Sequence, residues 1–267
     1  MAAPSSALTT HCNIWGATDV VDLHLFSRFD IIQRPFSGDE RILRIKHNDP
    51  ESLLLSLRLD DLNSAVLKRI GYILRQNTTL KELFISCHPT RPVSAFWLCV
   101  GIQMNRSIKE LSMSDVRLGS PTQLTIFGDF VAENTSLEKL KLCRCQLGPD
   151  DINCISEHLM RCSTNTLKEL DLSDNIRIGH NNNLDKLFQA LTMKGVKCLN
   201  LSGNILVGES MDSLRRLLER NDSMIEELDL SRNCISAETA DQLISSLKNN
   251  IKLRRFDLGG DQDKSST

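Results

Sequence analysis

Cys143-Arg144-Cys145 places two thiols one residue apart, a spacing that invites a metal or redox reading. Zinc needs four ligands, and two more would have to stand nearby. On an extended strand the two thiols would leave on different sides of a turn, so Cys145 is expected as an inward structural thiol and Cys143 as a free surface one. The six histidines (His11, His24, His47, His88, His158, His180) are scattered, and none forms a recognisable pair with a nucleophile or a metal-ligand spacing. G-x-S-x-G, H-E-x-x-H, Walker A and G-x-G-x-x-G motifs are all missing. The sequence therefore points to no catalytic residue, metal, cofactor or small-molecule substrate, and the chain reads as a non-enzyme. What is left is charge and one aromatic. Lys139 and Lys141 are followed by Glu169, Asp171, Glu227, Asp229 and Asp257, against Arg255, with Asn200 and Phe84 at equivalent places.

All of these residues sit inside one recurring phrase, L-x-x-L-x-L. It occurs at Leu54-Leu57-Leu59, Leu80-Leu83-Ile85, Ile108-Leu111-Met113 and Leu137-Leu140-Leu142. It continues at Leu167-Leu170-Leu172, Val196-Leu199-Leu201, Ile225-Leu228-Leu230 and Leu253-Phe256-Leu258. The intervals are 26, 28, 29, 30, 29, 29 and 28 residues, the mark of a repeat architecture. Within each phrase the apolar residues alternate with polar ones, the period of a strand with one buried face. Turns follow, several with glycine (Gly148, Gly179, Gly208), and then a helical pattern such as Ala240, Leu243, Ile244 and Leu247, or Leu214, Leu217 and Leu218. Each unit leaves an apolar face that only the next can cover, so the strands must stack in parallel on the inside of a horseshoe with helices outside.

The net charge of −2 supplies no field that would draw the chain to nucleic acid or an anionic membrane. No apolar run reaches 18 residues. The N-terminus lacks a basic stretch followed by an apolar one, so no signal peptide is expected. Nine cysteines without framework spacing then read as reduced, mostly buried thiols in a cytoplasmic protein, with the nucleus also open. Sequons occur at Asn77, Asn105, Asn134 and Asn221. Asparagine stands three residues before the phrase at 77, 105, 134 and 250, which predicts left-handed helix caps there in place of glycosylation. Residues 1–37 are expected to be a disordered or capping segment, with Val20, Val21, Leu23, Leu25 and Phe26 as its apolar part. Residues 38–262 form the repeat domain, and 263–267 a disordered tail. Arg41–Asn48 reads as one more degenerate strand or a cap helix.

A period of 28 to 29 with a helix in every repeat resembles the ribonuclease-inhibitor-like class of leucine-rich repeats. That class includes ribonuclease inhibitor, NOD-like receptor repeat domains and Ran GTPase-activating protein. The resemblance covers roughly residues 50 to 262. It implies an α/β solenoid of about eight repeats, with parallel strands on the concave face and helices on the convex face. It also implies Asn or Cys at position 9, where Cys145, Asn175, Asn204, Asn233 and Asp261 fit and Leu62, His88 and Val116 depart. In this architecture positions 3, 5 and 7 of each phrase line the concave face. Position 5 is then Arg58, Phe84, Ser112, Lys141, Asp171, Asn200, Asp229 and Asp257, and position 3 includes Lys139, Glu169, Glu227 and Arg255. Two readings of this charge stand side by side. It is either an acidic patch that recruits a basic segment of a partner protein, with the lysines fixing its register, or a solvated face written in the common phrase Leu-Asp-Leu-Ser. Phe84 is either an interface anchor or covered by the N-terminal segment. The expected role is a protein-interaction scaffold. The alternatives are a regulator of the GTPase-activating kind, which would use Arg58, or the sensor portion of a larger receptor.

Overall fold

The computed structural model describes residues 40–88, 95–118, 121–163, 166–179, 184–220 and 222–259, except the side chain of Asp61. The expected N-terminal segment and tail lie outside these residues, as do His11, His24, His180, Cys12, Asn221 and Asp261.

Of Arg41–Asn48, Arg41–Lys46 lies in a helix, α1 (Glu40–Lys46), which buries Ile42 and Ile45, and His47 and Asn48 form the turn after it. Then strands and helices alternate: β1 (Leu54–Arg58), α2 (Ser64–Gln76), β2 (Glu82–Ser86), α3 (Phe96–Gln103), β3 (Glu110–Ser114), α4 (Pro121–Glu133), β4 (Lys139–Cys143) and α5 (Pro149–Arg161). The series continues with β5 (Glu169–Asp171), α6 (Asp185–Lys194), β6 (Cys198–Asn200), α7 (Glu209–Glu219), β7 (Glu227–Asp229), α8 (Ala237–Ser246) and β8 (Arg255–Asp257). The eight strands form one parallel sheet in chain order. Leu55, Leu83, Leu111, Leu140, Leu170, Leu199 and Leu228 pair across it as one inward column, each no more than 2% exposed. Helices pack against their successors as a second layer. The core lies between the layers, and Leu214, Leu217 and Leu218 enter it from α7 as their spacing predicts. In α8 only part of the predicted face is covered: Leu243 is buried but Ile244 is 52% exposed. Among the described residues no helix is long and apolar enough to cross a membrane.

The first repeat corrects the sequence register. Leu55, not Leu57, pairs with Leu83, and Leu57 pairs with Ile85. The phrase therefore starts at Ser52. Arg58 stands at position 7, Ser56 at position 5, Leu54 at position 3, and Asp60 in place of Leu62 at position 9. The physical reason is that Leu55, Leu57 and Leu59 all point inward and are all buried. Alternation fixes which face a residue is on, but a slip of two leaves the face unchanged. With the slip removed the first interval is 28, in line with the rest.

The asparagines before each strand are also corrected. Asn77 (φ −76°, ψ 136°) and Asn250 (φ −82°, ψ 114°) are extended, not left-handed, and neither Asn105 nor Asn134 has a positive φ. Their side chains work between repeats instead. Asn105 donates from Nδ2 to Leu74 O and Asn77 O, and its Oδ1 accepts from the N–H groups of Ser107 and Ile108. Asn77 reaches Ile45 O, Asn134 reaches Asn105 O and Asn250 reaches Leu218 O in the same way. Asn77, Asn105 and Asn134 are at most 3% exposed, so a glycan has no access to them in the folded chain. A second ladder of the same kind ties the ends of later strands. Asn204 donates to Leu172 O and Leu201 O and accepts from Asn175 N, while Asn175 and Asn233 repeat the pattern one unit either side. Cys145 is the thiol version, with Sγ 3.5 Å from Met113 O and Cys143 O.

Candidate functional site

The face of the sheet turned away from the core carries the polar side chains of the strands, and the pairing places them in columns. Lys139 lies between Glu110 and Glu169 at position 3, and Lys141 between Ser112 and Asp171 at position 5. The lysines are already engaged. Lys141 Nζ is 3.0 Å from Glu110 and 3.3 Å from Glu169, and Lys139 Nζ is 3.5 Å and 3.8 Å from the same two carboxylates. Burial lowers the Lys141 ammonium, but Glu110 and Glu169 outweigh it and hold it above its ordinary value. Glu169 thus belongs to this four-membered cluster.

Beyond the cluster the face is acidic. Asp171, Asn200, Asp229 and Asp257 follow one another at position 5, with Glu227 and Arg255 beside them. Each position-5 side chain accepts from a backbone N–H two residues on: Asp171 from Ser173 (2.8 Å), Asn200 from Ser202 (2.9 Å), Asp229 from Ser231 (2.9 Å) and Asp257 from Gly259 (2.9 Å). These bonds explain why only Asp or Asn stands here: the side chain fixes the turn that ends the strand. The carboxylates still bring charge that asparagine would not. Arg255 meets Glu227 only at 4.0 Å, with both side chains more than half exposed. A shallow depression of about 240 Å³ runs over this region, lined by Glu169, Asp171, Cys198, Asn200, Asp229 and Arg255 among others. Burial and the neighbouring Glu227 and Glu169 raise the Cys198 thiol, so it is a poor nucleophile. Phe84 lies apart from this region, half-buried on β2. Arg58 is paired with Asp60 at 3.0 Å.

Three features escaped the sequence reading. The first is a charge ladder where the strands end. Arg144 forks onto Asp115 at 2.8 and 3.1 Å, and Arg232 reaches Asp174 two repeats back at 2.9 Å. Asp115, Arg144, Asp174, Gly203 and Arg232 share position 8 and a positive φ. Gly203 makes the long reach possible, because a Cβ there would lie 2.1 Å from Asp174 Oδ1. The recurring charged residue at position 8 is visible in the sequence. The second is a contact of Cys154 Sγ with His158 Nδ1 at 3.6 Å, and of His158 Nε2 with Asp129 at 3.4 Å. The i,i+4 spacing of Cys154 and His158 could have revealed it. It is not a catalytic pair. Nδ1 is bonded to Cys154 O at 2.8 Å, and burial together with Glu157, Asp151 and Asp129 raises the thiol. The third concerns the cysteines at large. Of the eight described only Cys87, Cys99 and Cys145 are buried, while Cys143, Cys154, Cys162 and Cys198 are half-buried and Cys234 is exposed. The expectation of mostly buried thiols is therefore corrected, because outward strand positions and the helix flanks take cysteine as readily as the core. Among the described residues no group of three or more His, Cys, Asp or Glu could hold a metal ion.

A parallel sheet built in chain order from strand–helix units of 28 to 30 residues is the leucine-rich-repeat arrangement. A family model described as "Leucine Rich repeat" matches residues 221–240, the stretch that holds β7 and its ladder asparagine Asn233. No curated protein matches the chain. Among solved structures the chain is similar to "Leiomodin-1 Actin-Binding Site 2 (ABS2)", at 17% identity and a TM-score of 0.35, over 80% of this chain and 89% of that one. The chain has the leucine-rich-repeat fold.

Proposed function

We propose that the chain is a non-catalytic protein-interaction scaffold that holds a basic segment of a partner protein on the open face of its sheet. Asp171, Asn200, Glu227, Asp229 and Asp257 would form the contact surface. Lys139, Lys141 and Glu169 would bound it on one side and Arg255 on the other. One observation carries the reading: Glu110 and Glu169 engage both lysines, so the charge left facing solvent over β5 to β8 is negative. A like-charged column is complementary to lysine and arginine and steers them at a distance. The regular period and the helix in each unit support the ribonuclease-inhibitor-like class. The free thiols support a reducing, cytoplasmic setting.

The test uses Asp171→Asn, Asp229→Asn and Asp257→Asn together. Asn200 makes the same turn bond in this column, so the triple variant keeps the fold and loses only charge. Affinity capture followed by mass spectrometry should show at least one protein held by the parent chain and lost with the variant. Identical capture by the two would sink the proposal.

A further inference from the structure

Where the strands β5 and β6 end, three large aliphatic side chains stand in solvent: Ile176 is 56% exposed, Val207 45% and Ile205 38%. Ile176 and Ile205 occupy the same place in successive turns, and exposed Cys234 occupies it after β7. The two turns are packed on each other. Val207 N–H donates to Gly179 O at 3.3 Å and Gly179 N–H to Asn204 O at 3.2 Å. A Cβ on Gly179 would lie 2.3 Å from Ile205 O, so glycine lets the turns meet. The aliphatics therefore form one ridge across repeats 5 and 6. Ile205 also has a φ of +52°, a region that β-branched residues avoid and that Asn or Gly would fill without strain. The core alone does not account for an isoleucine that is strained and 38% exposed at once. Both facts mark a side chain kept for contact with something else.

We propose that this ridge docks the apolar side of an amphipathic, basic helix from a partner protein, whose lysines or arginines face the Asp171–Asp229–Asp257 column. This rests on the acidic-face reading above and adds the form of the partner. Charge gives the sign. The acidic column supplies it, and of the exposed arginines near the ridge Arg144 is paired with Asp115 and Arg232 with Asp174. Spacing gives the helix. Neighbouring strands lie roughly 4.8 Å apart, close to the roughly 5–6 Å between residues three or four apart on a helix face. One helix can thus offer one residue per repeat. Ile176 stands five positions after Asp171 and Ile205 five after Asn200, so ridge and acidic column lie within about 17 Å of each other.

The test is fluorescence anisotropy of the full chain with two labelled peptides of about 18 residues. One is a Leu/Lys helix with leucines at i, i+3, i+4 spacing, and the other has the same composition in scrambled order. The parent chain should prefer the helical peptide by about tenfold, some 1.4 kcal/mol. The variant Ile176→Ser/Ile205→Asn/Val207→Ser should keep its melting temperature and bind both peptides alike. The triple Asp→Asn variant should weaken both. A preference that survives in the ridge variant overturns the inference, as does a parent chain with no preference. Loss of preference in the ridge variant with no effect of the Asp→Asn changes would keep the ridge and reject the acidic face. If neither peptide binds, both readings fall.

Discussion

A single asparagine does more for this fold than its polarity suggests. Asn204 is fully buried and closes four backbone bonds, three as donor to Leu172 O, Leu201 O and Ser202 O and one as acceptor from Asn175 N. Each group left unpaired in a buried site costs about 1–3 kcal/mol. Asn204→Ala should therefore lower stability by about 3 kcal/mol or more, read as a fall in the urea midpoint. Asn200→Ala, four residues earlier and half-exposed with one turn bond, should cost about 1 kcal/mol. Equal losses for the two would contradict the ladder. The sequence made Asn175, Asn204 and Asn233 legible, because they recur at position 9. It mistook Asn77 and its kin for left-handed caps, since asparagine serves both devices and only the backbone angle tells them apart.

At the scale of elements, alternation within each phrase foretold β2 to β8 with their registers, and failed by two residues at β1. Three inward leucines in a row offered two equal frames there, and only pairing with β2 chose between them. Helix contacts were less legible. Gly71 of α2 and Gly101 of α3 lie against each other's helices: a Cβ on Gly71 would be 2.2 Å from Trp97 O, and one on Gly101 would be 2.2 Å from Gly71 O. Alanine gains about 1 kcal/mol in helix propensity over glycine. The clash is with backbone, which no rotamer can relieve, so overpacking wins. Gly71→Ala should lower stability by a net of about 2 kcal/mol, seen by calorimetry as a fall in melting temperature. A rise would show that the helices separate at little cost.

Across the whole molecule, four carboxylates share a pattern. Lys109 draws Glu138 below its ordinary value, Lys197 does so for Glu226 and Arg220 for Asp222, and the N–H of His88 does so for Asp60. A lowered carboxyl contributes stability above its unfolded-state value and loses it as pH falls through the folded one. The urea midpoint should be level from neutral pH to about 5 and drop below about 4, where protonation begins. A midpoint unchanged at pH 3 would show that these pairs contribute nothing. Ion pairing between repeats also explains why the candidate site was only half legible. The sequence shows which residues share a column, but that Lys139 and Lys141 are engaged by Glu110 and Glu169 depends on side-chain reach across three strands. The change of ladder has a practical consequence for building with these units. Asparagine fastens the strand starts at 77, 105 and 134, and again at 250 before the last strand, whereas at 175, 204 and 233 it fastens the strand ends. A cassette of 28 or 29 residues moved within one of these series brings its own fastener to a neighbour shaped for it. The same cassette moved across the seam near Cys145 would leave unclaimed carbonyls on one side and redundant amides on the other. Deletion or duplication of units in this chain should therefore be tolerated in blocks set by that seam.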